Sequence, residues 1–171
     1  MKTQYDLSKG EAIEFSVKSE PWLKYRLEDG NFLFGRLIIT KIVKTVEYDV
    51  SGQPVYAWIS QNLFSTICQK HLKGIPSTPL PSSTDPKDFS VTPIDFERIG
   101  DEQWSVYEVS DGTVLRLKLE LTNVIRTDKY TFDGDPYYIM NSQTVSTMKV
   151  PKSLLRKPIT QNTAEPEDIY R

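Results

Sequence analysis

The chain matches itself. With Trp22 laid on Trp104, an offset of 82 residues, residues 22–67 align with residues 104–149 without a gap. Fourteen of the 46 positions are identical: Trp22/Trp104, Tyr25/Tyr107, Asp29/Asp111, Gly30/Gly112, Leu33/Leu115, Leu37/Leu119, Thr40/Thr122, Thr45/Thr127, Tyr48/Tyr130, Gly52/Gly134, Pro54/Pro136, Tyr56/Tyr138, Ser60/Ser142 and Gln61/Gln143. Average composition would give about three by chance. Mismatches keep their chemistry, as in Leu27/Val109, Ile42/Val124, Lys44/Arg126 and Leu63/Val145. Upstream, Ile13-Glu14-Phe15 resembles Ile94-Asp95-Phe96 with a one-residue shift; downstream, Lys70, Leu72 and Pro76 meet Lys152, Leu154 and Pro158. Self-similarity at a fixed offset predicts one unit of about 60 residues used twice. The division that follows is a first repeat over 11–73, a Pro/Ser-rich linker over 74–93, a second repeat over 94–157 and a polar, flexible tail over 158–171.

Within a repeat the pattern is that of strands. Leu23, Tyr25 and Leu27 alternate on one face, and period two with aromatic content argues for a strand. Asp29-Gly30 and Asp111-Gly112 then suit a type I′ hairpin turn. The runs Phe32 to Tyr48 and Val114 to Tyr130 keep their alternation until Thr40 and Thr122, where the phase breaks. A strand that loses phase in its middle is usually bulged and bent. Ser51-Gly52-Gln53-Pro54 and Asp133-Gly134-Asp135-Pro136 read as a second turn, followed by strands over Val55 to Ser60 and Tyr137 to Ser142, with a short helical turn around Asn62 to Leu72. The expected fold is all-β: an internal duplication of a curved antiparallel meander, arranged as two tandem small barrels or as one pseudo-twofold β assembly.

Composition narrows the function classes. At 38% hydrophobic and 26% charged residues the chain reads as globular. A net charge of -2 disfavours sequence-independent nucleic-acid binding, which needs a clustered basic excess. Single-stranded nucleic acid or a small ligand remains an alternative, because Tyr and Trp lie near Arg36/Lys118 and Lys44/Arg126. Cys68 is the only cysteine, Met1 to Gly10 is polar, and no apolar run is long enough to span a bilayer, so the expectation is a cytoplasmic protein with no membrane partner.

No catalytic signature emerges. His71 is the only histidine, Cys68-x-x-His71 is half a zinc spacing, and both phosphate-loop glycine patterns are absent. No catalytic residue, metal or cofactor is expected, and Asp133 and Asp135 read as turn residues. An enzyme with its site in a groove between the repeats is the third reading.

The informative difference lies on one strand face. The first copy carries Phe34, Arg36 and Ile38 where the second carries Arg116, Lys118 and Glu120. Phe34, Arg36 and Ile38 are therefore the candidate interface. Ser60, Gln61, Ser142 and Gln143, polar yet identical in both copies, are candidate ligand contacts. The expected role is a non-catalytic binding or assembly module whose partner is a second copy or another protein.

Overall fold

The computed structural model describes residues 6–158, so the tail expected to be flexible lies, from residue 159, outside the described residues. The strands are β1 (Glu11–Ile13), β2 (Phe15–Ser19), β3 (Leu23–Leu27), β4 (Phe32–Tyr48), β5 (Pro54–Ile67), β6 (Val91–Ile94), β7 (Phe96–Ile99), β8 (Ser105–Val109), β9 (Val114–Tyr130) and β10 (Pro136–Lys149). The described residues contain no α-helix, only short 3-10 turns, so the protein is all-β.

Two antiparallel sheets of five strands form, each built on a 17-residue strand. In the first, β4 pairs along one edge with β5 and along the other with β3 and then β1, and β7 lies outside β3. In the second, β9 pairs with β10, with β8 and β6, and β2 lies outside β8. Neither sheet draws on one half of the chain alone. Glu14 is the only residue between β1 and β2, which lie in different sheets; Asp95 does the same between β6 and β7. The carbonyls at these crossings are held by opposite hairpins, with Ser110 N–H donating to Glu14 at 2.8 Å and Glu28 N–H to Asp95 at 2.8 Å. Beyond each crossing an aromatic ring meets a core tyrosine edge-on, Phe15 on Tyr107 at 5.8 Å and Phe96 on Tyr25 at 5.9 Å.

No closed barrel forms. Closure needs the last strand to pair with the first, and the outer edges of β5 and β10 have no strand partner among the described residues. The sheets instead face one another across a single core. Leu33, Leu37 and Ile42 from β4 join Leu115, Leu117 and Val124 from β9, all almost fully buried. Burial of each such side chain contributes about 1.5–3 kcal/mol. Gly35 sits where the long strands approach: a Cβ there would lie 2.9 Å from Leu119.

The phase break has the expected cause. The register of β4 on β5 shifts between Ile39 and Lys41, and that of β9 on β10 at Asn141/Ser142, opposite Thr122. The threonine hydroxyls bond across the shifts, Thr40 to the Ile59 carbonyl and Thr122 to that of Asn141. Two local expectations change. Asn62 to Ile67 is strand rather than helical turn, because it pairs residue by residue with Phe32 to Leu37; a 3-10 turn follows at Lys70–Leu72. The Asp-Gly hairpins are not type I′. Gly30 N–H bonds to the Leu27 carbonyl and Leu27 N–H to that of Asn31, and only Gly30 has positive φ. This is a type I turn closed by a glycine bulge, which leaves Asp29 in ordinary backbone geometry.

The segments after β5 and β10 also cross over. Gly74 N–H donates to Gly134 of the far hairpin at 2.9 Å and Arg156 N–H to Gly52 at 2.9 Å. Arg156 lays its guanidinium 3.7 Å from the Tyr48 ring centroid. The linker continues against β9 and β10, with the Tyr137 hydroxyl bonded to the Ser83 carbonyl and the Phe89 ring 5.8 Å from that of Tyr137.

Each half therefore depends on strands from the other. Residues 1–81 and 82–171 expressed apart are expected to show no cooperative melting by circular dichroism, and to regain it on mixing. Gly52 combines φ +83° with a backbone carbonyl 2.1 Å from where a Cβ would stand, whereas Gly100, at φ +88°, has nothing within 4 Å. Gly52→Ala is expected to cost well over the roughly 1–2 kcal/mol of left-handed strain expected for Gly100→Ala, read as denaturant midpoints.

Candidate functional site

Strand pairing places partner residues on the same face, so register defines the outer surface of the first sheet. Phe32, Phe34, Arg36 and Ile38 of β4 lie opposite Ile67, Ser65, Leu63 and Gln61 of β5, while Lys24 and Arg26 of β3 lie beside Phe34 and Phe32. Phe34 and Ile38 are half-buried by these neighbours. Ile67 is 60% exposed and Leu63 39%. The Lys24 ammonium sits 4.4 Å from the Phe32 ring centroid and the Arg26 guanidinium 5.8 Å from it.

Arg36 is an anchored member of this face. It pairs with Glu20 at 3.2 Å and stacks 5.6 Å from the centroid of Trp22. Glu20 also accepts from the Tyr107 hydroxyl at 2.8 Å, and burial, reinforced by this carboxylate, pushes the Tyr107 hydroxyl well above its ordinary range. Arg36 Nε is buried and has no hydrogen-bond partner among the described residues.

The second sheet presents different chemistry at the same positions. Val114, Arg116, Lys118 and Glu120 lie opposite Lys149, Thr147, Val145 and Gln143. Lys118 pairs with Glu102 at 3.1 Å and Glu120 at 2.6 Å, and both Arg116 and Lys118 stack on Trp104. Two sheets of the same order thus carry one apolar, aromatic and one charge-paired outer face.

Ser60 and Ser142 lie opposite the buried Ile39 and Leu121, while Gln61 and Gln143 lie opposite Ile38 and Glu120 on the outer faces. Alternation along the strands therefore sends serines and glutamines to opposite sides. The contact formed between β5 and β10 is Asn62 Nδ2 donating to Ser142 Oγ at 3.0 Å. Cys68 and His71 do not act together: His71 is exposed on a 3-10 turn, and burial, then the Asp135 carboxylate, push the Cys68 thiol up to about 11. Asp133 accepts from the Thr131 hydroxyl within its turn. Asp135 is buried, paired with Lys73 at 2.8 Å and bonded by Thr66 at 2.9 Å. No group of three or more metal-ligating side chains occurs among the described residues, and no helix there is long and apolar enough to cross a membrane.

Sequence reasoning missed what the matched hairpin residues do. Asp111 accepts from the Lys44 ammonium at 2.8 Å and the Tyr56 hydroxyl at 2.5 Å, and Tyr56 also meets Thr113 at 3.0 Å. Asp29 accepts from the Tyr138 hydroxyl at 2.5 Å and from Arg126 at 3.4 Å, and Asn31 donates to Tyr138 at 2.7 Å. Both clusters tie the hairpin of one half to the long strands of the other. The available signal was that Asp, Tyr and Lys/Arg match at 29/111, 56/138 and 44/126, polar identities that a fold-only turn does not require. Burial works to raise the Asp111 carboxyl, but bonds from Lys44, Tyr56 and Thr113 outweigh it and hold it at about 2. Burial and the facing carboxylates raise both tyrosine hydroxyls.

The sign of the pH effect follows. A depressed carboxyl stabilises the fold above its unfolded value, and that contribution is lost as pH falls from 3.8 through about 2. Asp111→Asn is expected to lower unfolding free energy by about 2 kcal/mol at neutral pH. Denaturation curves of parent and variant should converge in strong acid, where the parent carboxyl is protonated in both states.

In comparisons with family models, curated proteins and solved structures, nothing matches this chain.

Proposed function

We propose that this chain is a non-catalytic assembly module that holds another polypeptide, a second copy foremost, on the outer face of its first sheet. The carrying observation is the contrast between two sheets of one order, with Phe32, Phe34, Ile38, Leu63 and Ile67 on the first and, on the second, Arg116 stacked on Trp104 beside the ion-paired Lys118 and Glu120. Large exposed apolar patches on otherwise charged proteins mark interaction surfaces. The matched residues, 82 apart, support an origin by internal duplication with a pseudo-twofold between the halves: the shared Asp29/Asp111 and Tyr56/Tyr138 serve the clamps, while Phe34/Arg116 and Ile38/Glu120 differ on the free face.

The titratable groups support a non-catalytic role. The Cys68 thiol and the Tyr56 and Tyr138 hydroxyls are shifted away from neutrality, and Asp111 is tied to Lys44. A poised acid or base requires the opposite shifts.

Phe34→Lys with Ile38→Glu is expected to reduce the mass seen by sedimentation at a given concentration while the thermal midpoint stays within a few degrees. Arg116→Ser with Glu120→Ser on the second sheet should leave the mass unchanged. A Phe34/Ile38 variant identical to its parent in sedimentation, folding and thermal midpoint overturns the reading.

A further inference from the structure

Edge strands expose unpaired N–H and C=O groups, and soluble proteins guard them with charge, proline or brevity. The short edge strands β1, β2 and β7 carry Glu11, Lys18 and Glu97 with Arg98, and β6 carries Pro93. The two long edge strands are less guarded: β10 has one charge, Lys149 at its end, and Val145 as its exposed large aliphatic side chain. β5 runs for 14 residues with no charged side chain and no proline after its first position. Among the described residues its second edge pairs with nothing. It also carries a row of exposed aliphatics on the outer face, Ile59, Leu63 and Ile67, at 57%, 39% and 60% exposure.

The outer-face residues of this strand from Ile59 to Ile67 are nearly symmetric about Leu63. Ile59 and Ile67 stand four residues to either side, Gln61 and Ser65 two to either side, and Ser60 and Thr66 three to either side. Two antiparallel copies related by a twofold at Leu63 would place Ile59 of one against Ile67 of the other, Leu63 against Leu63, and Gln61 against Ser65. Like meets like on the outer face, which suits cross-strand packing. A twofold also sets every charge against its own mirror position, and a strand without charge meets no such repulsion.

We propose that two copies of this chain join edge to edge along β5, antiparallel and in the register centred on Leu63. The proposal rests on the reading of the chain as an assembly module and places the second copy at the β5 margin of the first sheet, beside the Phe34 and Ile38 face rather than over it. Pairing would extend the first sheet into one sheet across both copies, with the two Phe34 and Ile38 clusters flanking the seam.

The test uses the whole chain and four variants, three in β5 and the Phe34→Lys with Ile38→Glu pair, each checked for folding by circular dichroism and followed by sedimentation over a concentration series. The parent is expected to show a monomer–dimer equilibrium. Leu63→Lys is expected to weaken it by roughly tenfold or more, since equal charges meet at the axis. Ile59→Lys with Ile67→Lys should do the same, whereas Ile59→Lys with Ile67→Glu sets Lys against Glu in this register and should retain the dimer. Only the proposed register separates the last two variants. Equal behaviour of that pair, or a parent that stays monomeric at every concentration, overturns edge pairing. Dimerisation that responds to Phe34→Lys with Ile38→Glu but not to the β5 variants overturns edge pairing and leaves the assembly reading standing.

Discussion

A strand at the margin of a sheet is stable only if its backbone finds a partner, and here β2 and β7 find theirs in the opposite half of the chain. The single residues Glu14 and Asp95 carry the backbone from one sheet to the other, and both are held there by hairpin amides. Everything else in the fold accommodates that exchange. Tyr25 and Tyr107 take an aromatic lid from the incoming strand, and the hairpin carboxylates reach across to lysine or arginine and tyrosine. A stretch of about 60 residues is marginal by itself; the two halves of the chain complete each other's sheets and share one core.

Much of this was legible locally. Aliphatic alternation at Leu33, Leu37 and Ile39 reports burial on one side of a strand, and the loss of phase at Thr40 reports a bulge, because both depend on neighbours close in sequence. The limits of β4 and β9 follow from the same pattern. Turn type was less legible. Asp-Gly serves a type I′ turn and a type I turn with a glycine bulge equally well, and the choice depends on hydrogen bonds around Asn31 and Thr113. Asn62 to Ile67 resembled a mixed helical turn because a strand with one face outward and its edge unpaired loses clean binary contrast.

Sequence alone could not reveal the crossing of β2 and β7. Their residues suit either sheet, and the decision is made by partners about 70 to 94 positions away. The same limit applied to the candidate site. Phe34, Arg36 and Ile38 do share one face, but Arg36 is tied to Glu20 and Trp22, which no periodicity announces. Ser60, Gln61, Ser142 and Gln143 were linked by identity, and strand alternation divides them between the two sides of the sheets. Identity at matched positions marks structural ties at Asp29, Asp111, Tyr56 and Tyr138.

The crossing at Asp95 also sets a schedule for the growing chain. β3 and β4 can pair as soon as their hairpin is made, but β7 supplies the outer strand of that sheet, and Arg156 closes on the Gly52 turn only near the far end of the sequence. The first half therefore waits on the ribosome with its sheet unfinished while most of the second half is still being synthesised. Pairing between distant segments slows folding because loop closure precedes the contacts that reward it. During that interval the outer edge of β3 is an unpaired margin of the nascent sheet, and the arrival of residues 96–99 is what closes it.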